Sequence, residues 1–209
     1  MRQVPGTVSR YSAGARVNHW ITAGCLILLA LSGMALFHPG LFFLTMLFGG
    51  GSAARAIHPW IGVVLLVSFS ILFVRFVRFN IWNRDDTRWI RALDRVAAQD
   101  DANVPEAGRY NAAQKMMFWV MTWLILGLFV TGLVIWDTYF FGYTPIWQKR
   151  MAMVVHSAAA VGIIFMWIVH VYAAIWVKGT LSAMTRGTVT AGWSWRHHRK
   201  WLREMARGR

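Results

Sequence analysis

Four of the seven histidines in this 209-residue chain lie at the ends of apolar segments, where ionisable side chains are rare. His156 and His170 bound one such segment, and the residues between them include no Asp, Glu, Lys or Arg. Over those 14 steps an α-helix rises about 21 Å and stops roughly 40° short of four full turns, so both imidazoles leave one helix face. His19 and His58 each open a further apolar segment. Neutral imidazole is a good metal ligand, so these four residues are candidate ligands.

The segments that carry these histidines have the length of membrane spans, at about 20 apolar residues per helix. The chain is 57% hydrophobic and 14% charged, which is too apolar for an ordinary soluble domain. The predicted fold class is therefore an all-α integral membrane protein, a bundle of four transmembrane helices. Residues 1–180 are predicted to form this domain, and 181–209 a basic tail. The predicted spans are approximately 20–37, 57–79, 116–136 and 151–177.

The placement of the basic residues predicts the orientation of the spans. Of the 22 Lys and Arg residues, 19 lie near the N-terminus, around the connection between spans two and three, or after span four. Only Arg55, Lys149 and Arg150 lie in the other two connections. By the positive-inside rule, both termini and the middle connection are cytoplasmic. Membrane topology thus accounts for the formal charge of +14 without a nucleic-acid partner.

This topology sorts the four histidines into two pairs at matching depths. His58 and His156 open their spans on the outer side, whereas His19 and His170 lie at cytoplasmic ends. Two bis-imidazole iron sites, one near each face, are what two b-type haems in a four-helix bundle require. Zinc or copper sites more commonly bring carboxylates or thiolates, and Cys25 is the only cysteine. We therefore predict an outer haem b on the first pair and an inner haem b on the second, with electrons passing between the faces.

Other interpretations of the histidines stay open. A histidine in a membrane helix can instead form a hydrogen bond between helices. His38, at the outer end of span one, is a competing ligand for the outer site, although we expect it to be an interface residue. His197 and His198 in the tail are expected to be solvated and receive no role.

The connections between the spans carry their own patterns. The run G-G-G-S at 49–52 predicts a flexible element or a tight turn. The middle connection holds six of the eight acidic residues, and within it Trp89, Leu93 and Val96 fall on one helical face. That pattern indicates a short helix lying on the cytoplasmic interface. The tail is expected either to lie among the lipid headgroups or to be solvated and partly disordered.

Beyond the histidines, several longer motifs extend across nearly the whole chain, from about Arg16 to Trp201. They are R-V-N-H-W at 16–20, R-A-I-H-P at 55–59, G-R-Y-N-A-A-Q-K-M-M-F-W at 108–119, H-S-A-A-A at 156–160 and H-V-Y-A-A-I-W-V-K-G-T at 170–180. Together they resemble the gamma subunit of respiratory formate dehydrogenase, the cytochrome b membrane subunit of that complex. The G-R-Y-N-x-x-Q-K and W-V-K-G segments are more specific than four histidines, which many dihaem cytochromes share.

The resemblance implies partners and an electron path. In that family a molybdenum or tungsten alpha subunit oxidises formate, and an iron–sulfur beta subunit passes the electrons to the outer haem. The inner haem then reduces a quinone, menaquinone or ubiquinone, near the cytoplasmic face of the bacterial inner membrane. Formate oxidation thus lies in another subunit, and this chain is the quinone-reducing electron-transfer subunit. The family also implies a trimer of the complex.

The resemblance also implies the site residues. Carried over by motif, the outer ligands are His58 and His156 and the inner ligands are His19 and His170, which agrees with the pairing by depth. Asn111, with Gln114 nearby and His170 behind, would form the quinone site. Amides can supply the hydrogen-bond donors that a quinone carbonyl needs. Either amide could instead satisfy backbone groups at the start of a helix.

The sequence departs from the family pattern in two places, and two rival functions stay open. Asp137 stands where the family has Arg, which bears on docking to the outer partners or on pairing with the haem propionates. Ala113 stands where a Gly occurs in the family, which slightly reshapes the quinone pocket. The nearest rival is a dihaem cytochrome b of a hydrogenase or of a thiosulfate or polysulfide reductase. The other rival is a non-redox membrane anchor or a metal or proton pathway, which predicts no haem.

Overall fold

The protein is almost entirely helical in a computed structural model that describes residues 6–98, 100 and 104–208. In chain order the α-helices and strands are β1 (Thr7–Ser9), α1 (Ala13–Phe37), α2 (Gly51–Phe76), α3 (Arg84–Arg91), α4 (Leu93–Ala97), α5 (Ala112–Ile135), α6 (Asp137–Phe140), α7 (Ile146–Trp176), α8 (Thr180–Thr185), β2 (Thr188–Thr190), α9 (Ala191–His197) and α10 (Arg199–Ala206). Two further segments, Pro39–Phe48 and Val77–Phe79, are 3-10 helices.

Four helices of the described chain are long and apolar enough to cross a membrane, by length and composition. They are Ala13–Phe37, Gly51–Phe79, Ala112–Ile135 and Ile146–Trp176. The second of these joins α2 to the 3-10 helix that follows it. Each begins several residues before the predicted span, because the helical backbone continues through small and polar residues that a hydropathy pattern does not include. The predicted class, a helical multi-pass membrane protein, is confirmed. Among the described residues, the short strands β1 and β2 are the additions to the all-α prediction.

The chain forms two compact units. The first, the helix-bundle unit, comprises Val17–Phe73 and Val120–Val169. The second, the terminal unit, comprises the described residues of Met1–Arg16, Val74–Trp119 and His170–Arg209.

The core of the helix-bundle unit draws one residue from each long helix. Leu26, Leu65, Ile125 and Ile163 are buried together. The outward surfaces are apolar as well, with Phe165 as one example at 62% exposure. A helix that is apolar all round belongs in lipid or in the core of a large protein. The bundle therefore has the surface of a membrane-embedded domain.

The residues after α7 fold back into the terminal unit. β2 pairs antiparallel with β1, with Val189 opposite Val8. Ala183, Val189, Trp193 and Trp201 form a buried apolar cluster. Neither alternative for the tail, headgroup contact or disorder, anticipated this folded core, because aromatic residues among Arg and Lys also match an interfacial pattern.

The expectation of a solvated His198 is wrong. Its side chain is only 1% exposed, between Trp193 and Trp201 in the terminal unit. Packing of α9 against α10 buries the ring although its sequence neighbours are basic. His197 remains half-buried.

The middle connection also differs from its prediction. Instead of one amphipathic helix, α3 and α4 are separated at Ala92, so Trp89 is buried while Leu93 is 47% exposed. Asn83 caps α3 in a capping box with Asp86, which fixes where the helix starts. The G-G-G-S run forms the predicted turn, since Gly49 and Gly50 adopt φ of 86° and 100°, which favours glycine.

Candidate functional site

His58 on α2 and His156 on α7 face each other in the helix-bundle unit. Their ring centroids are 6.4 Å apart, with the ring planes at 63°. Metal–imidazole nitrogen bonds are about 2 Å long, so one ion between two imidazoles separates the ring centroids by roughly 6 Å. The observed spacing therefore fits one metal ion that both rings would hold. In the part of the chain that the structure describes, no group of three or more His, Cys, Asp or Glu could hold a metal.

A hydroxyl group holds the Nδ1 atom of each ring. Ser32 Oγ lies 2.7 Å from His58 Nδ1, and Thr131 Oγ1 lies 2.9 Å from His156 Nδ1. Each hydroxyl also donates its proton to a carbonyl of its own helix, at 2.8 Å for Ser32 and 2.6 Å for Thr131. Because that proton is already used, the hydroxyl oxygen accepts from Nδ1–H of the imidazole. The lone pair of Nε2 is then left for a metal.

Glycines follow both hydroxyl residues and keep space beside the rings. A Cβ added to Gly33 would lie 3.5 Å from His58 Cε1, and one added to Gly132 would lie 3.6 Å from His156 Cε1. A Cβ at either position would be in van der Waals contact with an imidazole, so each glycine leaves the edge of a ring uncovered. The donor set, the ring spacing and the two glycines fit a bis-histidine haem, whose flat ring must lie close to the helices.

Sequence reasoning missed these four supporting residues. A Ser-Gly pair and a Thr-Gly pair stand at 32–33 and 131–132 in otherwise apolar spans. Small and hydroxyl residues inside membrane helices mark close helix contacts, so this signal was available.

The two remaining histidines lie in different units. His19 belongs to α1 in the helix-bundle unit, where its ring meets Trp20 edge-on at 5.5 Å. His170 belongs to the terminal unit, although α7 continues unbroken from His156 to His170. That continuity agrees with one helix carrying both residues. The pairing of His19 with His170 stays a prediction.

His38 has a local structural role. It is the N-cap of the 3-10 helix Pro39–Phe48, where its Nδ1 accepts from the backbone N–H of Gly40 at 3.1 Å. This agrees with its expected place outside the ligand set, and its competition for the outer site stays untested.

Asn111 and Gln114 form a reciprocal capping box at the start of α5. The backbone N–H of Gln114 donates to Asn111 Oδ1 at 2.9 Å, and the backbone N–H of Asn111 donates to Gln114 Oε1 at 3.1 Å. Both side-chain oxygens are thus used within the helix start. Among the described residues, the amide NH2 group of neither side chain donates a hydrogen bond. The structural and the quinone interpretations are therefore compatible, because they use different atoms of the same amides.

A charged cleft of about 230 Å³ in the terminal unit reaches Asn111. Lys115 and Asp86 in its lining form an ion pair at 2.7 Å, with each side chain 6% exposed. Nearer the surface, Lys200 pairs with Asp85 at 2.8 Å. The hydrogen bond from Lys200 lowers the pKa of Asp85, so this carboxylate is ionised at neutral pH.

Comparison with known proteins decides the family. A family model described as prokaryotic cytochrome b561 matches residues 10–187. The chain belongs to the prokaryotic cytochrome b561 family. Membership confirms the prediction of a membrane cytochrome b and implies haem b as its redox group. The rival interpretation as a non-redox anchor gains no support from this family.

Named relatives of this cytochrome b align over most of its length. It is 42% identical over 199 residues to the formate dehydrogenase cytochrome b556(fdo) subunit of Escherichia coli strain K12, covering 95% of this chain and 93% of the relative. The nitrate-inducible cytochrome b556(Fdn) subunit of the same strain is 39% identical over 190 residues, with 91% and 88% covered. The Haemophilus influenzae cytochrome b556 subunit is 35% identical over 197 residues, with 94% and 83% covered. The predicted resemblance to formate dehydrogenase subunits is thereby confirmed.

Proposed function

We propose that this cytochrome b is the membrane subunit of a formate dehydrogenase. It carries electrons from an outer iron–sulfur subunit through two haems b to a quinone near the cytoplasmic face of the bacterial inner membrane. The opposed imidazoles of His58 and His156 carry the redox assignment, because their spacing suits two rings that would hold one iron. The names of the relatives, which are formate dehydrogenase cytochrome b556 subunits, support the choice of complex. The proposal includes a molybdenum or tungsten catalytic subunit as the electron source and a trimer of the complex.

At the outer site this chain binds and orients. His58 and His156 would hold the iron through Nε2, and Ser32 and Thr131 keep each ring in that tautomer. The bound haem supplies one-electron chemistry. The apolar bundle around the haem excludes water. Electrons can therefore leave the haem only toward the neighbouring redox centres.

The inner site and the topology rest on sequence and on chain organisation. Matched depth in the spans supports His19 and His170 as the inner ligands. The terminal unit gathers the N-terminal segment, the middle connection and the tail, which are the three parts that the positive-inside rule places in the cytoplasm. Their association in one unit supports both termini lying on the same side.

The quinone site uses the free amide groups at the start of α5. On reduction the quinone takes up two electrons and two protons, and charge develops on its carbonyl oxygens. The NH2 groups of Asn111 and Gln114 can donate hydrogen bonds to such an oxygen and stabilise the charge that develops on it. The charged cleft lined by Asp85 and Asp86 supplies a water-accessible path for protons to Asn111. Menaquinone and ubiquinone both present such a carbonyl.

Haem content and substrate-driven reduction of the purified complex test the proposal. A pyridine haemochrome assay is expected to give two b haems per copy of this chain, and formate should reduce both. Addition of quinone should then reoxidise them. A haem-free chain would contradict the redox role. Reduction by hydrogen but not by formate, or haem oxidation by polysulfide, would assign the chain to one of the rival complexes.

Loss of the hydroxyl partners is expected to raise the midpoint potential of the outer haem. A hydroxyl that accepts from Nδ1–H makes the imidazole a stronger donor, which favours ferric iron. One hydrogen bond contributes about 0.5–1.5 kcal/mol, which corresponds to roughly 20–65 mV for a one-electron couple. Redox titration of Thr131→Val and Ser32→Ala should show this shift, while the controls Thr131→Ser and Ser32→Thr keep the hydroxyl. An unchanged potential in both hydroxyl-free variants would argue against the contact.

A further inference from the structure

Four residues before α5, Gly108–Asn111, are held by parts of the chain that are far away in sequence. His198 contacts Gly108 from 90 residues further along, and Arg10 contacts Arg109 from 99 residues before. Both contacts are made to backbone carbonyls. The segment ends at Asn111, so its backbone determines where the capping box of α5 begins.

His198 acts on this segment as a neutral hydrogen-bond donor. Burial, with a smaller contribution from the charge of Arg10, lowers the pKa of His198 to about 3. Its Nδ1 lies 2.8 Å from the carbonyl oxygen of Gly108. A carbonyl oxygen only accepts, so Nδ1 carries the proton and donates it.

Arg10 holds the adjacent residue by hydrogen bonds and ring contacts. Its guanidinium donates to the carbonyl of Arg109, and Arg109 Nη2 donates back to the Arg10 carbonyl at 3.0 Å. The guanidinium carbon lies 5.3 Å from the ring centroid of Tyr110 and 4.5 Å from that of Trp201. The side chain is buried, at 3% exposure for the residue, and none of the described carboxylates forms an ion pair with it. Its contacts thus include a hydrogen bond to the Arg109 carbonyl and the ring faces of Tyr110 and Trp201.

We propose that His198 and Arg10 are positioning residues of the quinone site. They hold the carbonyls of Gly108 and Arg109, and thereby set the position from which the Asn111 amide meets the quinone carbonyl. The tail then helps to position the quinone site through His198, although it does not itself contact the quinone. The inference rests on the proposed function, in which Asn111 binds the quinone.

The physical reason lies in the short distance along the backbone between the held carbonyls and the amide. Asn111 is the next residue but one after Arg109, and its side-chain oxygen is committed to the Gln114 N–H. A shift of the Gly108–Asn111 segment therefore moves the NH2 group of the Asn111 side chain together with the start of α5. A displacement of about 1 Å in a reacting group can reduce a rate by about 100-fold.

The test compares two substitutions of His198 in the intact complex. His198→Leu removes the donor, whereas His198→Asn retains an amide N–H near the position of Nδ1. His197→Leu is the matched control, because it makes the same change one residue away. The measured quantities are the apparent KM and kcat for a short-chain quinone, the haem content, and the rate at which formate reduces the haems before quinone is added.

We expect His198→Leu to raise the apparent quinone KM about tenfold or more, with haem content and haem reduction by formate unchanged. His198→Asn should restore most of the affinity, and His197→Leu should behave like wild type. An unchanged KM in His198→Leu, equal effects of Leu and Asn, or loss of haem along with affinity would overturn the inference. If His198→Leu fails to assemble, Arg10→Lys decides, since Lys keeps the charge but lacks the guanidinium fork. A raised KM with intact haems supports positioning, and an unchanged KM contradicts it.

Asn111→Leu separates this inference from the proposed function. If Asn111→Leu leaves quinone KM unchanged, the quinone site itself is misplaced. If Asn111→Leu raises KM while His198→Leu and Arg10→Lys do not, the quinone site stands and only the positioning role fails.

Discussion

Replacing His156 with Ala is expected to remove the outer haem and to lower formate-dependent quinone reduction to background. His58 would retain its hydroxyl partner Ser32, but a single axial imidazole would remain where the rings now stand 6.4 Å apart. A b-type haem has no thioether link to the protein, so loss of one histidine ligand weakens both its binding and the low-spin character of the iron. Haem content by pyridine haemochrome, with reduced-minus-oxidised spectra, measures the loss directly.

The matched variants make this result specific to the ligand. His170→Ala should instead remove the inner haem and spare the outer one, because the proposal assigns the two residues to different sites on the same helix. His38→Ala, which removes an imidazole that caps a 3-10 helix, should retain both haems. A His156→Ala protein with full haem content and unchanged spectra would contradict the assignment of the outer ligand. Loss of haem in His38→Ala with retention in His156→Ala would make His38 the ligand.

Replacing Asp86 with Ala is expected to destabilise the terminal unit by about 3–5 kcal/mol, the cost of leaving one member of a buried ion pair uncompensated. Lys115 Nζ lies 2.7 Å from Asp86 Oδ2, and each side chain is only 6% exposed. Lys115 also donates to the carbonyl of Ile81 at 3.0 Å, and this neutral acceptor would remain after the carboxylate is removed. The change is measured by thermal unfolding of the solubilised complex, with protease cleavage of the connection between α2 and α5 as the readout.

Asp85 provides the control for that prediction because it belongs to a similar ion pair in a different environment. Its partner Lys200 lies 2.8 Å away, but the side chains are 40% and 48% exposed. Surface pairs contribute about 0–1 kcal/mol, so Asp85→Ala should cause a small change. The double replacement Asp86→Leu with Lys115→Met should recover much of the loss, since no charge is then left buried. Equal effects at Asp85 and Asp86 would contradict this account.

The proposed direction of electron flow also has an energetic requirement. An electron that crosses inward against the membrane potential needs about 2.3 kcal/mol per 100 mV. The difference in redox potential between the electron donor and the quinone must supply it. Such a reaction conserves energy without a proton pump, provided that quinone takes its protons on the cytoplasmic side.

The sequence by itself determined the features that depend on local patterns. Four apolar stretches of membrane length were sufficient to predict the four long helices, because a chain in lipid must satisfy its backbone hydrogen bonds within each helix. The position of His156 and His170 on one face followed from helical geometry alone, and α7 is continuous between them. The motifs shared with formate dehydrogenase subunits supported the family assignment before any contact was known.

Only the tertiary structure decided which side chains meet across the chain. Ser32 reaches His58, and Thr131 reaches His156, through helix packing that hydropathy does not specify. His198 was expected in water and is buried against Gly108 instead, because aromatic residues of the tail form a core with distant segments. Periodicity describes the face of a single helix, whereas burial and hydrogen bonding depend on what packs against that face. Candidate ligands could therefore be proposed from sequence, while the hydroxyl groups that contact two of them required the fold.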